Sequence, residues 1–89
     1  MSALITPLIA AIGGDPDRPP ICFTGHIDTV PLGAKPWTRD AFAGETDGDR
    51  LYGRGSTDMK SGIAAFVAAA VELAPRLAGT PGIVLVITA

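Results

Sequence analysis

The sequence predicts an α/β fold with a mixed, mostly parallel sheet and flanking helices, laid out as strand, strand, loop, helix, strand. Three observations predict it. Two short apolar runs, Leu8–Ile12 and residues 21–24, are separated by the turn-rich stretch Asp15-Pro-Asp-Arg-Pro-Pro20. From about Lys60, apolar residues recur at three- and four-residue spacings. Gly82-Ile-Val-Leu-Val-Ile-Thr88 is an unbroken, β-branched run, the pattern of a strand covered on both faces.

The N-terminal stretch, residues 1–12, is apolar and reads as a strand ended by Gly13-Gly14. It lacks a basic leader and is too short to span a bilayer. The short link to residues 21–24 lets the two runs form an antiparallel pair. Residues 27–55 read as loop, with Gly or Pro every few positions, except for a turn and strand at residues 47–53. In the helix that follows, Ile63, Phe66, Val67, Ala70, Ala74 and Leu77 share one stripe. The opposite face is mostly alanine, with Glu72 and Arg76 its charges. Pro75 should kink or end the helix near Ala74, and Gly79 and Pro81 are stop signals.

Composition bounds the function. Of 89 residues, 47% are hydrophobic. A chain this short buries only about 60–65% of its unfolded surface, so such richness points to a piece of a larger core. The net charge of −2, with seven scattered Lys and Arg, argues against nucleic acid or a membrane surface as partner. The one cysteine, Cys22, lies in an apolar run and reads as a buried core residue in a reducing compartment, hence a cytoplasmic protein.

The chemistry centres on two clusters. His26, the sole histidine, stands at the C-terminal end of a predicted strand, where α/β sheets place their sites. In extended backbone Asp28 points the same way. It can accept from one imidazole nitrogen and leave the other for a metal. A lone His-x-Asp is more often an ordinary hydrogen-bonded loop pair. The second cluster is Leu51-Tyr-Gly-Arg-Gly-Ser-Thr-Asp-Met-Lys-Ser-Gly62. Asp58, just before the helix, is either a cap or a metal ligand, since a carboxylate can bridge two metals about 3.5–4 Å apart. Two look-alikes fail here. Gly53-x-Gly55-x-x-Asp58 places a carboxylate where a dinucleotide fingerprint needs glycine. Lys60-Ser61 lacks the glycines of a phosphate-binding loop. A nucleotide-binding α/β unit is disfavoured on both counts.

Thr24-Gly-His-Ile-Asp-Thr-Val-Pro31, then Trp37 and Phe42, then residues 51–62 together resemble one family. It is the di-zinc amidohydrolase and exopeptidase family of acetylornithine deacetylase, succinyl-diaminopimelate desuccinylase, aminoacylase and the glutamate carboxypeptidases. The resemblance runs from about residue 21 to residue 89. It implies that residues 1–89 are an incomplete, metallopeptidase-like catalytic domain, with the lid or dimerisation domain absent. His26 and Asp58 would be metal ligands, Asp58 bridging two Zn²⁺ or Co²⁺ ions. Asp28 would clamp the His26 ring and support catalysis. The Asp58–Met59 peptide would be cis, and Trp37 and Phe42 would anchor the connecting loop. The implied reaction removes an acetyl or succinyl group from a small N-acyl amino acid, or cleaves a short peptide, by metal-activated water. Full-length relatives would be homodimeric. Relatives carry a Glu-Glu pair, general base and metal ligand, shortly after a strand like the run at residues 83–88. The sequence ends at Ala89, before such a pair. The resemblance therefore implies a fragment inactive on its own. The alternative is a non-catalytic α/β module that keeps the motifs as scaffold.

Overall fold

The computed structural model describes residues 7–89. The part of the predicted N-terminal strand in residues 1–6 lies outside the described residues. The elements are β1 (Leu8–Ile12), β2 (Ile21–His26), β3 (Thr46–Asp47), β4 (Arg50–Leu51), α1 (Ser61–Leu73) and β5 (Ile83–Thr88). A kinked turn, Ser56–Lys60, leads into α1, and a tight turn, Ala74–Arg76, follows it.

The sheet order is β1-β5-β2. β5 is antiparallel to β1 and parallel to β2, so the sheet is mixed in equal parts. This corrects the expected pairing of the two N-terminal runs, because β5 lies between them. The reason is burial: β5 carries the longest β-branched run, and the central position removes most apolar surface from water. β2, α1 and β5 form a crossover of two parallel strands, with β1 added at the free edge. The predicted turn and strand at residues 47–53 is the small hairpin β3–β4, register Thr46↔Leu51 and Asp47↔Arg50.

The helix stripe packs as its spacing requires. Ala70, at 1% exposure, meets Ile83 and Leu85, and Ala10, Ile12, Phe66, Val67 and Leu77 close around them. Burying one such Ile or Leu side chain stabilises by about 1.5–3 kcal/mol. Phe23 stacks on Phe66 with ring centroids 5.8 Å apart. α1 ends at Leu73, where the Pro75 ring would clash with a continuing helix. The other sheet face carries Ile9, Ala11, Cys22, Thr24, Val84 and Val86 by strand alternation. Among the described residues no helix covers it. Cys22 is accordingly exposed, which corrects the expectation of a buried core residue. Among the described residues no helix is long and apolar enough to cross a membrane.

Within the connecting loop, Trp37 and Phe42 behave differently. The Trp37 indole N–H donates to the Leu32 carbonyl at 3.3 Å. The Arg54 guanidinium lies 5.0 Å above its ring and donates to the Pro31 carbonyl at 3.2 Å. Trp37 therefore ties the loop to the second motif. Phe42 is 77% exposed and anchors nothing among the described residues; its neighbour Ala41 is the buried one. The loop turns at Asp40, whose side chain accepts from the Phe42 N–H at 2.9 Å, and this bend turns Phe42 outward.

Candidate metal site at the strand ends

His26 is the last residue of β2, paired with Thr88 of β5. The ladder continues one step further, because the Ile27 N–H donates to the Thr88 carbonyl at 2.8 Å. Backbone bonding thus holds the chain on both sides of His26. Asp58 arrives from the other direction. The Lys60 N–H donates to the Gly55 carbonyl at 2.9 Å, closing the kinked turn. Within it, Asp58 (φ −118°, ψ 91°) and Met59 (φ −139°, ψ 31°) leave helical geometry. The Asp58–Met59 peptide is cis. Asp58 is not a helix cap: Lys60 occupies the N-cap position of α1, and no side chain caps that end.

The three residues meet at the carboxyl ends of the strands. His26 Nε2 lies 3.3 Å from Asp58 Oδ1. On the other side of the ring, Nδ1 lies 2.9 Å from the Asp28 backbone carbonyl and 3.3 Å from Asp28 Oδ1. The carbonyl is the nearer partner, so the backbone of Asp28 orients the ring at least as much as its carboxylate does. A carbonyl can only accept, which fixes the Nδ1–H tautomer and leaves the Nε2 lone pair facing Asp58. The Asp28 carbonyl raises the His26 pKa above its usual value; partial desolvation opposes this, and the charges of Asp28 and Asp58 add to it.

The pair His26 and Asp58 fits a shared divalent ion. Imidazole nitrogen and carboxylate oxygen at about 2.0–2.2 Å from a tetrahedral zinc lie roughly 3.3–3.5 Å apart, and the observed separation is 3.3 Å. The fit is partial. Among the described residues no group of three or more His, Cys, Asp or Glu is arranged to hold a metal. An open cleft of about 320 Å³ adjoins the turn; Ser56 and Lys60 line it with Phe42, Leu51, Tyr52 and Arg54.

Two glycines shape this site: the sequence marks Gly55 as permitting a tight turn or close backbone approach, but gives no such sign at Gly25. Gly25 is buried beneath the start of α1, and a Cβ there would lie 2.7 Å from Ile63 Cγ1 and 3.1 Å from Met59 Cε. Gly55 has φ +82°, and a Cβ there would lie 2.6 Å from Thr29 Cγ2. Their places in the motifs mark them as glycines, but the atoms that crowd them come from elsewhere in the chain.

Comparison with known proteins agrees with the motifs. Residues 22–89 match peptidase family M20/M25/M40. The chain is 55% identical over 67 residues to succinyl-diaminopimelate desuccinylase of Cereibacter sphaeroides (strain ATCC 17029 / ATH 2.4.9), covering 74% of this chain and 18% of that protein. It is 46% identical over 82 residues to succinyl-diaminopimelate desuccinylase 2 of Ruegeria sp. (strain TM1040), covering 91% and 21% respectively. Against succinyl-diaminopimelate desuccinylase of Phenylobacterium zucineum (strain HLK1) the identity is 57% over 56 residues, or 62% and 15% of the two chains. The matched part of the chain spans 18%, 21% and 15% of the length of these three relatives.

Proposed function

This chain belongs to peptidase family M20/M25/M40, and on that footing we propose that it forms part of a metal-dependent amidohydrolase that removes an acyl group, succinyl or acetyl, from an N-acyl amino acid. The observation that carries the reading is the 3.3 Å approach of His26 Nε2 to Asp58 Oδ1 at the strand ends. The names of the relatives, desuccinylases in each case quoted, support the substrate class.

In this reading His26 and Asp58 would hold a divalent ion, Zn²⁺ or Co²⁺, and Asp58 would also serve a second. When bound, such ions supply an activated water and polarise the amide carbonyl. His26 presents Nε2 because Nδ1–H is engaged by the Asp28 carbonyl. Asp28 keeps the ring in that tautomer, and its negative charge raises the basicity of the ligand nitrogen. β2 and the turn ahead of α1 hold the two ligands from separate elements, so the site is fixed by the packing of the sheet and the helix. Among the described residues the ligand set is incomplete and no general base is placed, so in this reading residues 1–89 would hydrolyse nothing at a useful rate unaided. General base catalysis alone contributes about 10²–10⁴-fold.

The test is calorimetric titration of the full protein with Zn²⁺ and Co²⁺, paired with assays on N-succinyl and N-acetyl amino acids. Chelator-sensitive hydrolysis, abolished in both His26→Ala and Asp58→Ala, is the expected result. Hydrolysis that survives both substitutions would refute the assignment. Metal binding without hydrolysis by the full protein would favour the scaffold alternative.

A further inference from the structure

We propose that Gly25 is a positioning residue: the absence of a side chain there sets how close Asp58 comes to His26. This rests on the metal-site reading above and goes beyond it.

Gly25 immediately precedes His26 on β2 and pairs with Ile87 of β5. Alternation along β2 puts it on the face of Phe23, whose ring stacks on Phe66 of α1, so Gly25 faces the helix. The start of α1 uses the space a Cβ would need. The nearest heavy atoms are Ile63 Cγ1 at 2.7 Å, Met59 Cε at 3.1 Å and Ile63 Cδ1 at 3.2 Å. Ile63 is itself buried, so it has little room to withdraw. Real Cβ atoms do not tolerate the shortest of these contacts, and close-packed interiors pass such an insertion on as displacement. The neighbours that must move belong to the segment that carries Asp58: Met59 follows it directly, and Ile63 lies one helical turn further on. A methyl at position 25 would lift this segment off the strand end. The ring of His26 would stay, held by the β2–β5 ladder and by the Asp28 carbonyl. The two ligands would therefore separate while the sheet kept its register. Gly25 touches no metal or substrate in this scheme and acts only through Met59 and Ile63.

The test compares Zn²⁺ affinity and thermal unfolding in the full protein for Gly25→Ala, Ile63→Ala and the double substitution. Gly25→Ala should lose about 10–100-fold in affinity, the range seen when the support of a ligand is removed. The double substitution, in which the new methyl enters the space vacated by Ile63, should recover most of the loss. Should Gly25→Ala fail to fold, the comparison moves to the Ile63→Ala background. There Gly25→Ala should keep the affinity and Gly25→Val should lower it. Unchanged affinity in Gly25→Ala, loss that the double substitution does not recover, or equal affinities for Ala and Val in the Ile63→Ala background would overturn the proposal. A metal-free crystal structure of a folded position-25 variant, Gly25→Ala or Gly25→Val/Ile63→Ala, separates this claim from the metal assignment. The distance from His26 Nε2 to Asp58 Oδ1 should open beyond 3.3 Å. If it opens although the parent protein takes no Zn²⁺, the metal reading falls and the positioning role stands. If it does not open, the positioning role falls whatever the metal titration gives.

Discussion

His26 Nε2 stands 3.3 Å from Asp58 Oδ1, although 32 positions separate the two residues. One sits at the end of a strand and the other in the turn that starts a helix, so neither can shift without its element. Asp58→Ala removes the oxygen and leaves the strand intact. Zn²⁺ affinity of the full protein should fall by at least about 100-fold, beyond the usual effect of losing an outer support. Titration calorimetry reads this directly, and an affinity within tenfold of the parent would contradict it.

Asp28→Ala should act more mildly. The nearer partner of Nδ1 is the Asp28 carbonyl at 2.9 Å, which the substitution keeps, whereas the carboxylate at 3.3 Å is lost. Metal affinity should fall by about tenfold, the low end for a supporting group. Hydrolysis by the full protein should fall further than affinity if the carboxylate also acts in the reaction. Equal losses in the two measurements would confine Asp28 to orienting the ring.

The charged His26 ring is favoured in the fold, chiefly by the Asp28 carbonyl and then by the two carboxylates. Its pKa in metal-free protein should lie above about 6.5, the value of an unperturbed imidazole. A group raised in this way adds stability that is fully present below its unfolded pKa and is lost as pH rises through its folded pKa. Protons and metal compete for Nε2, so Zn²⁺ affinity should drop as pH falls through the folded value. NMR titration of the imidazole resonance, assigned by its loss in His26→Gln, checks the first point. A pKa at or below the unperturbed value would contradict it, and Asp58→Asn should lower whatever value is found.

Ala70 is the most buried of the described core residues, at 1% exposure against Ile83 and Leu85. Ala70→Leu adds volume with nowhere to go and should destabilise the full protein by about 1–3 kcal/mol. The midpoint of urea unfolding should fall while its slope stays constant. A neutral result would mean that α1 sits more loosely on the sheet than these contacts imply.

Much of this was legible in the sequence, for identifiable reasons. The stripe through Ile63, Phe66, Val67 and Ala70 fixed the buried side of α1, and Pro75 fixed its end. His26, Asp28 and Asp58 were legible as candidates because their residue types and spacing match a recognisable motif pair. Strand order was not. Leu8–Ile12 and residues 21–24 look like natural partners by proximity, yet neighbours in a sheet are chosen by burial, and Ile83–Thr88 competes better for the centre. Phe42 and Cys22 were misplaced for a similar cause: apolar residue type alone does not say which side of a loop or strand is covered. Gly25 could be read as permissive but not as crowded, because Ile63 and Met59 reach it only through the tertiary fold.

The order β1-β5-β2 also imposes a schedule. On the ribosome, the strand that joins the other two is the last of the five to emerge. Until Ile83–Thr88 arrives, Leu8–Ile12 and Ile21–His26 have no hydrogen-bonding neighbour in the sheet among the described residues, and their edges stay open to other nascent chains. His26 exists from early in synthesis, but the ladder that steadies it comes only with Thr88. The sheet must close across more than half the chain before the site acquires its shape, and pairing over such separations is intrinsically slow. Premature chain ends placed before residue 83 should therefore leave the N-terminal strands prone to aggregation, with both sequence motifs intact and neither one in place.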